Sequence, residues 1–199
     1  MADLEKTGKN LEGRGFRVHR FASGAEAAEF LVQTLHGTSI GIGGSVTIDT
    51  LGVYDRLCES NEVFWHWKNH APETRERAGK AKTYLCSANG VSENGEIVNI
   101  DGFGNRVAGT IYGPERVFLV VGRNKIAPDL TGAIDRARNI AAPLNARRLN
   151  RHTPCAVGEP RCHDCRSPEK ICGVMTVFFM PPTSIKEFHV ILVDEDLGY

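Results

Sequence analysis

Val117-Phe118-Leu119-Val120-Val121 is a run of five apolar residues with no polar alternation. Such a run marks a strand buried on both faces, the situation of a parallel sheet covered by helices. The residues that follow, Gly122-Arg123-Asn124-Lys125-Ile126, turn polar at once. In open α/β sheets ligands bind beyond the carboxyl ends of the strands, so Asn124 and Lys125 are candidate ligand-facing residues. A solvated loop would show the same polarity.

Working outward, other strands alternate with helices. Phe16–Phe21 reads as a strand. Ser23-Gly-Ala-Glu26 is a capping-box pattern opening a helix with Ala27, Phe30, Leu31 and Thr34 on one face. Ser39–Ile42 is a short strand, and Val46–Leu57 the next expected helix, capped by Ser45 or Thr47. Glu62–Trp67 is expected as a strand, 73–82 as an exposed helix and Thr83–Ala88 as a strand. Segments 95–100 and 107–112 read as hairpin arms around Asp101-Gly-Phe-Gly-Asn105. Asp129 caps a helix bearing Leu130, Ile134, Ala137 and Ala141. Strands at 174–179 and 188–193 close the chain and are expected to add an antiparallel edge. This alternation predicts one three-layer α/β domain over residues 1–199 with a mostly parallel sheet.

Composition bounds the function. There are 24 Lys+Arg against 24 Asp+Glu, so no net field favours a nucleic acid or a membrane surface as general partner. No apolar stretch approaches the roughly 18 residues of a membrane span. The charged start, Met-Ala-Asp-Leu-Glu-Lys, lacks the apolar core of a signal peptide. A cytoplasmic protein with reduced thiols is the expectation. A homo-oligomer is left open.

Four of the six cysteines, Cys155, Cys162, Cys165 and Cys172, fall within 153–173, spaced C-x6-C-x2-C-x6-C. The stretch is too polar for core, and thiolates are soft ligands for zinc or an iron–sulfur cluster. Arg151, Arg161, Arg166 and Lys170 flank them and favour the thiolate form. A [4Fe–4S] cluster is expected ahead of zinc. A metal-free cysteine loop or a pair of disulfides is the alternative, and His152 and His163 are substitute ligands or, more simply, solvated neighbours of the ligands. Cys58 and Cys86 read as core.

Two glycine turns are candidate anion sites. Gly41-Ile42-Gly43-Gly44-Ser45 joins a strand to a helix, with the Ser45 and Thr47 hydroxyls beside it. It is neither the dinucleotide fingerprint nor a Walker A loop, and a plain βα turn would also use these glycines. Asp101, Asn105 and Arg106 put a carboxylate, an amide and a guanidinium in one turn, which suits a small anionic metabolite or serves a hairpin. Phe64, Trp65 and Trp67 are core, interface or pocket cover.

Several stretches together resemble the LUD-domain (lactate-utilisation) family, within the fold group of ribose-phosphate isomerases, glucosamine-phosphate deaminases and CoA transferases. They are GIGGSVT (41–47), NGVSENGEIVNIDGFGNRVAG (89–109), VVGRNKI (120–126), NIAAPLNARRLN (139–150), PCAVGEPRCHDCRSPEKIC (154–172) and VILVDEDLGY (190–199). The resemblance implies a Rossmann-like fold and a part in oxidising lactate to pyruvate beside an iron–sulfur partner protein. An oxidoreductase subunit would then bind a small 2-hydroxy acid at the turns. Arg106 or Lys125 would pair its carboxylate, Asp101 would orient the hydroxyl or act as base, and the cysteine cluster would pass electrons. In the rival reading, an isomerase-like or transferase-like site holds phosphate at Gly43, Gly44, Ser45 and Thr47. Asp101 and Lys125 then move protons, and the cysteines hold structural zinc. A non-catalytic binding domain is the third.

Overall fold

The computed structural model describes residues 3–199. In chain order the elements begin with α1 (Leu4–Gly13), β1 (Arg17–Phe21), α2 (Gly24–Thr34), β2 (Ser39–Ile42), α3 (Val46–Thr50), α4 (Tyr54–Cys58), β3 (Glu62–Trp65), α5 (Thr74–Gly79) and β4 (Thr83–Ser87). They continue with β5 (Gly90–Ser92), β6 (Ile97–Asp101), α6 (Asn105–Ile111), β7 (Arg116–Gly122), β8 (Ile126–Ala127) and α7 (Leu130–Arg136). Last come α8 (Ala142–Arg148), α9 (Pro154–Val157), β9 (Val174–Phe178) and β10 (Glu187–Val193). A π-helical stretch, Ala137–Ala141, joins α7 to α8.

A six-stranded sheet, in the order β1-β10-β7-β4-β2-β3, is parallel throughout. β7 is buried on both faces, as its run of apolar residues requires. Phe118 and Val120 point into one core with Ile40, Ile42 and Trp65. Val117, Leu119 and Val121 point into another with Leu11, Tyr84 and Cys86. Helices therefore cover the sheet on both sides, giving the three-layer Rossmann-like arrangement.

Three expectations are corrected. The residues from 107 to 112 form no hairpin arm, because Asp101 caps a helix there. Its Oδ2 accepts the backbone N–H of Arg106 at 3.0 Å and of Val107 at 3.3 Å. Gly104 makes the turn at φ +91°. Gly109 then lies against the Tyr84 ring, where a Cβ would come within 2.5 Å of the ring carbons. The expected helix 46–57 breaks into α3 and α4 at Gly52, whose φ is +64°. The late strands do not share an edge. β10 is interior to the parallel sheet, whereas β9 pairs antiparallel with β6 in a second sheet, β8-β5-β6-β9. That sheet went unread because β5 and β8 are only three and two residues long.

The outer pair of strands carries a pH-dependent contribution to stability. His19 Nε2 and His189 Nδ1 are 2.9 Å apart, and His189 Nε2 is 3.4 Å from the Glu187 carboxylate. His189 stacks on Phe118 at 4.2 Å. Burial lowers its pKa to about 4, against the partial support of Glu187. With both rings protonated, two N–H groups would face each other. The folded pKa lies below the unfolded value near 6.5, so the contribution is present above about pH 6.5 and is lost as pH falls toward 4. We expect urea midpoints to drop across this window by on the order of 2 kcal/mol, and His189→Phe to flatten the drop. An unchanged slope in the variant would refute the assignment.

Candidate functional site

A cleft of about 870 Å³ opens where the carboxyl ends of β2, β4 and β7 meet the β6–α6 turn and the cysteine loop. This is the place an open parallel sheet offers a ligand, because helices and connections leave the strand ends free. Six basic side chains line it (Arg75, Arg106, Lys125, Arg148, Arg151 and Lys170), against two carboxylates, Asp101 and Glu169. The zero net charge of the chain thus hides a local excess of positive charge, which suits an anion.

Lys125 stands on the cleft floor, only 3% exposed. Its Nζ donates to Thr47 Oγ1 at 2.7 Å and to Ser87 Oγ at 2.8 Å. Thr47 Oγ1 in turn donates to the carbonyl of Leu197 at 3.1 Å. No salt bridge joins Lys125 to a carboxylate among the described residues. Burial holds its pKa well below the usual lysine range, and Arg136 and Arg106 add repulsion.

Arg106 is spent on protein acceptors. Its Nη1 donates to the carbonyl of Ser87 at 3.2 Å and to Asn99 Oδ1 at 2.8 Å. Its Nη2 donates to Asn89 Oδ1 at 2.8 Å and to the carbonyl of Ile100. The guanidinium therefore ties the end of β4 to β6 and has no free fork for a carboxylate.

The first glycine turn divides its labour. Gly41 lies under α5, where a Cβ would stand 2.0 Å from the carbonyl oxygen of Ala78. Gly43 packs against Arg106 and Tyr84, where a Cβ would come within 3.0 Å of each. Gly44 and Ser45 reach the cleft. Gly44 lies beside Trp67, and the Ser45 Oγ caps α3 by accepting Ile48 N–H at 3.2 Å. Asn105 lines the cleft, with its carbonyl accepting the Tyr84 hydroxyl at 3.1 Å. Asn124 is turned to the final residues instead. Its Oδ1 accepts Leu197 N–H and its Nδ2 donates to the Gly198 carbonyl, both at 3.1 Å.

The cysteine loop is anchored at several points. Arg147 donates to the carbonyls of Ala156 at 3.0 Å and Gly158 at 2.6 Å. Asn139 Oδ1 accepts Cys162 N–H at 2.8 Å. All four cysteines are free and half-buried. Burial pushes the Cys172 thiol up, Lys170 pulls it down, and Cys162, Cys165 and Cys155 are all near enough to push it up further. Cys162 Sγ accepts the Arg138 guanidinium at 3.3 Å and Asp164 N–H at 3.4 Å. A donor set of four thiols with N–H bonds to sulfur and cationic neighbours fits a soft metal or an iron–sulfur cluster in chemistry. Among the described residues, no three His, Cys, Asp or Glu side chains stand close enough to hold a metal ion. His152 bonds Glu169, and His163 lies 3.2 Å from the carbonyl of Glu159. Cys86 is core, its thiol pushed up to about 12 by burial. Cys58, expected in the core, is exposed because Leu57 takes the inward position at the end of α4.

One cleft residue, Ser87, carried no sequence signal. Ser87 ends β4, a position the strand-end rule would mark once the sheet order is known. Trp67 lines the cleft beneath Arg148, whose guanidinium lies 4.6 Å over the ring, while Trp65 is buried beside it. Phe64 is covered by Arg77 at 4.3 Å. No helix among the described residues is long and apolar enough to cross a membrane.

A family model described as the LUD domain matches residues 4–193. No curated protein matches the chain. The chain is similar in fold to a crystal structure of a DUF162 family protein from Deinococcus radiodurans. The TM-score is 0.56 and the identity 13%, with 96% of this chain and 95% of that chain covered. At that identity the likeness is one of fold.

Proposed function

The chain belongs to the LUD-domain family, and from that premise we propose that it is a lactate-utilisation-type redox subunit. It binds lactate or a related small 2-hydroxy acid in the cationic cleft and carries an iron–sulfur cluster, [4Fe–4S] ahead of zinc, on Cys155, Cys162, Cys165 and Cys172. The observation that supports this most is that the cysteine loop is itself a wall of the cleft. Pro168–Ile171, between Cys165 and Cys172, line it, and Gly102 of the β6–α6 turn packs so close to Ile171 that a Cβ would stand 2.6 Å from its Cα.

In this reading the rim cations Arg75, Arg148, Arg151 and Lys170 draw in the carboxylate. Asp101, with Oδ2 engaged at the α6 cap, orients the hydroxyl. Arg106 keeps the β4 and β6 ends in register. A cluster on the loop would supply one-electron transfer toward an iron–sulfur partner protein.

The test is anaerobic purification of the full chain with iron, acid-labile sulfide and absorption measurements. Iron with sulfide, lost in Cys162→Ser and in Cys165→Ser, is the expected result. Metal-free protein under these conditions would overturn the cluster.

One observation favours a second reading. A cleft of about 870 Å³ with six basic side chains exceeds what a three-carbon acid fills. A phosphorylated metabolite with structural zinc on the loop would use that space. Zinc without sulfide in the same analysis would favour it.

A further inference from the structure

A fully buried lysine normally has a carboxylate partner, because an unpaired ammonium in a low-dielectric interior is costly. Lys125 has two hydroxyls instead, Thr47 Oγ1 at 2.7 Å and Ser87 Oγ at 2.8 Å. Its charged neighbours are two arginines, Arg136 and Arg106, of which Arg106 also lines the cleft. Arg136 is spent on the carbonyls of Asn124 at 2.7 Å and Asn89 at 2.5 Å. Burial and the two arginines push such an amine toward its neutral form, which carries a lone pair, on the floor of an anion-attracting cleft. Thr47 accepts from Lys125 and donates onward to Leu197, so that bond restrains Nζ without occupying its lone pair. This is the arrangement that turns a lysine into a nucleophile toward carbonyl carbon.

We propose that Lys125 forms an imine with a small 2-oxo acid bound in the cleft. Nζ attacks the carbonyl carbon and a C–N bond forms. The carbonyl oxygen takes up a proton to give a carbinolamine. Loss of that hydroxyl as water, with a proton from the nitrogen, leaves the C=N bond. No electrons are gained or lost. Ser87 and Thr47 lie at hydrogen-bond distance to shuttle the protons, and the rim cations hold the carboxylate. The inference rests on the proposed ligand class, a carboxylate beside an oxygen-bearing carbon, and is independent of what the cysteines hold.

The experiment uses the full chain, pyruvate as probe and sodium cyanoborohydride at neutral pH, followed by intact-mass measurement and peptide mapping. One reduced adduct per chain at Lys125 is expected. Exposed lysines such as Lys9, Lys80 and Lys186, each paired with a carboxylate, should be labelled far less. The map locates the site on the unaltered protein, so the test does not depend on a variant folding. Lys125→Met should abolish the adduct, and Ser87→Ala should slow its formation while leaving it at Lys125. No adduct, or labelling spread over exposed lysines, would overturn the proposal and leave Lys125 as a tie between Thr47 and Ser87. A Lys125 adduct on protein without iron would refute the cluster and leave this inference standing. Iron and sulfide with no adduct would do the reverse.

Discussion

Gly41→Ala is expected to destabilise the protein by on the order of 3 kcal/mol or more, enough to reduce soluble yield sharply. Gly41 sits mid-strand in β2, paired with Phe64 on one side and Tyr84 on the other. Its missing side chain makes room for α5, and a new Cβ would stand 2.0 Å from the carbonyl oxygen, 2.8 Å from the carbonyl carbon and 2.9 Å from the Cα of Ala78. All three are backbone atoms, so no rotamer change relieves the clash. Either the helix moves off the sheet or the strand distorts. Total stability of a domain is about 5–15 kcal/mol, so the loss is a large fraction of it. Gly13→Ala, with nothing within 4 Å of the new Cβ, is the control and should be neutral or slightly stabilising. Urea midpoints compare the two. A loss below about 1 kcal/mol for Gly41→Ala would mean that α5 does not rest on β2 as closely as described.

Arg106→Met is expected to cost about 3 kcal/mol and to abolish ligand binding in the cleft. Four acceptors would lose a charged donor together: the carbonyls of Ser87 and Ile100, and the side-chain oxygens of Asn89 and Asn99. Asn99 is fully buried, and its Nδ2 already has no partner. It would then keep no side-chain hydrogen bond among the described residues. Arg106→Lys should rescue little, because one ammonium cannot reach acceptors on two sides as a planar fork does. If Lys restored stability and binding, Arg106 would be acting as a point charge toward the ligand, contrary to its geometry. Denaturant midpoints with titration of pyruvate into each variant separate the two roles.

Features that depend on neighbours along the chain were legible in the sequence. The caps at Ser23, Ser45 and Asp129 are side chains bonding amides three residues on. β7 was legible because burial on both faces demands uninterrupted apolar residues. Asp101 was not, since a carboxylate that caps a helix is written with the same letter as one that works as a base. The turn Asp-Gly-Phe-Gly-Asn read as a hairpin because the same residues make hairpin turns. Only the docking of α6, with Gly109 against Tyr84, decides for a helix. The GIGGSVT stretch read as a ligand-facing turn at Gly43, Gly44, Ser45 and Thr47 or as a plain βα turn, whereas Gly41 serves helix packing and Gly43 the seat of Arg106. Of residues 41–45 only Gly44 and Ser45 reach the cleft.

By itself the sequence determined the parallel α/β architecture, the helix starts at Ser23, Ser45 and Asp129 and the single loop that gathers four thiols, because each rests on local periodicity or on spacing, and the likeness of whole stretches pointed to the family. The tertiary structure decided what those residues do. It placed β10 inside the sheet and β9 in another, which depends on pairings between distant segments. It put Thr47, Ser87 and Lys125 within 2.8 Å contacts, although 78 positions separate the first from the last and 38 the second from the last. It also concentrated six basic side chains around one cleft in a chain of zero net charge. Such contacts are properties of packing, and no pattern along the chain encodes which buried lysine is left without a counter-ion.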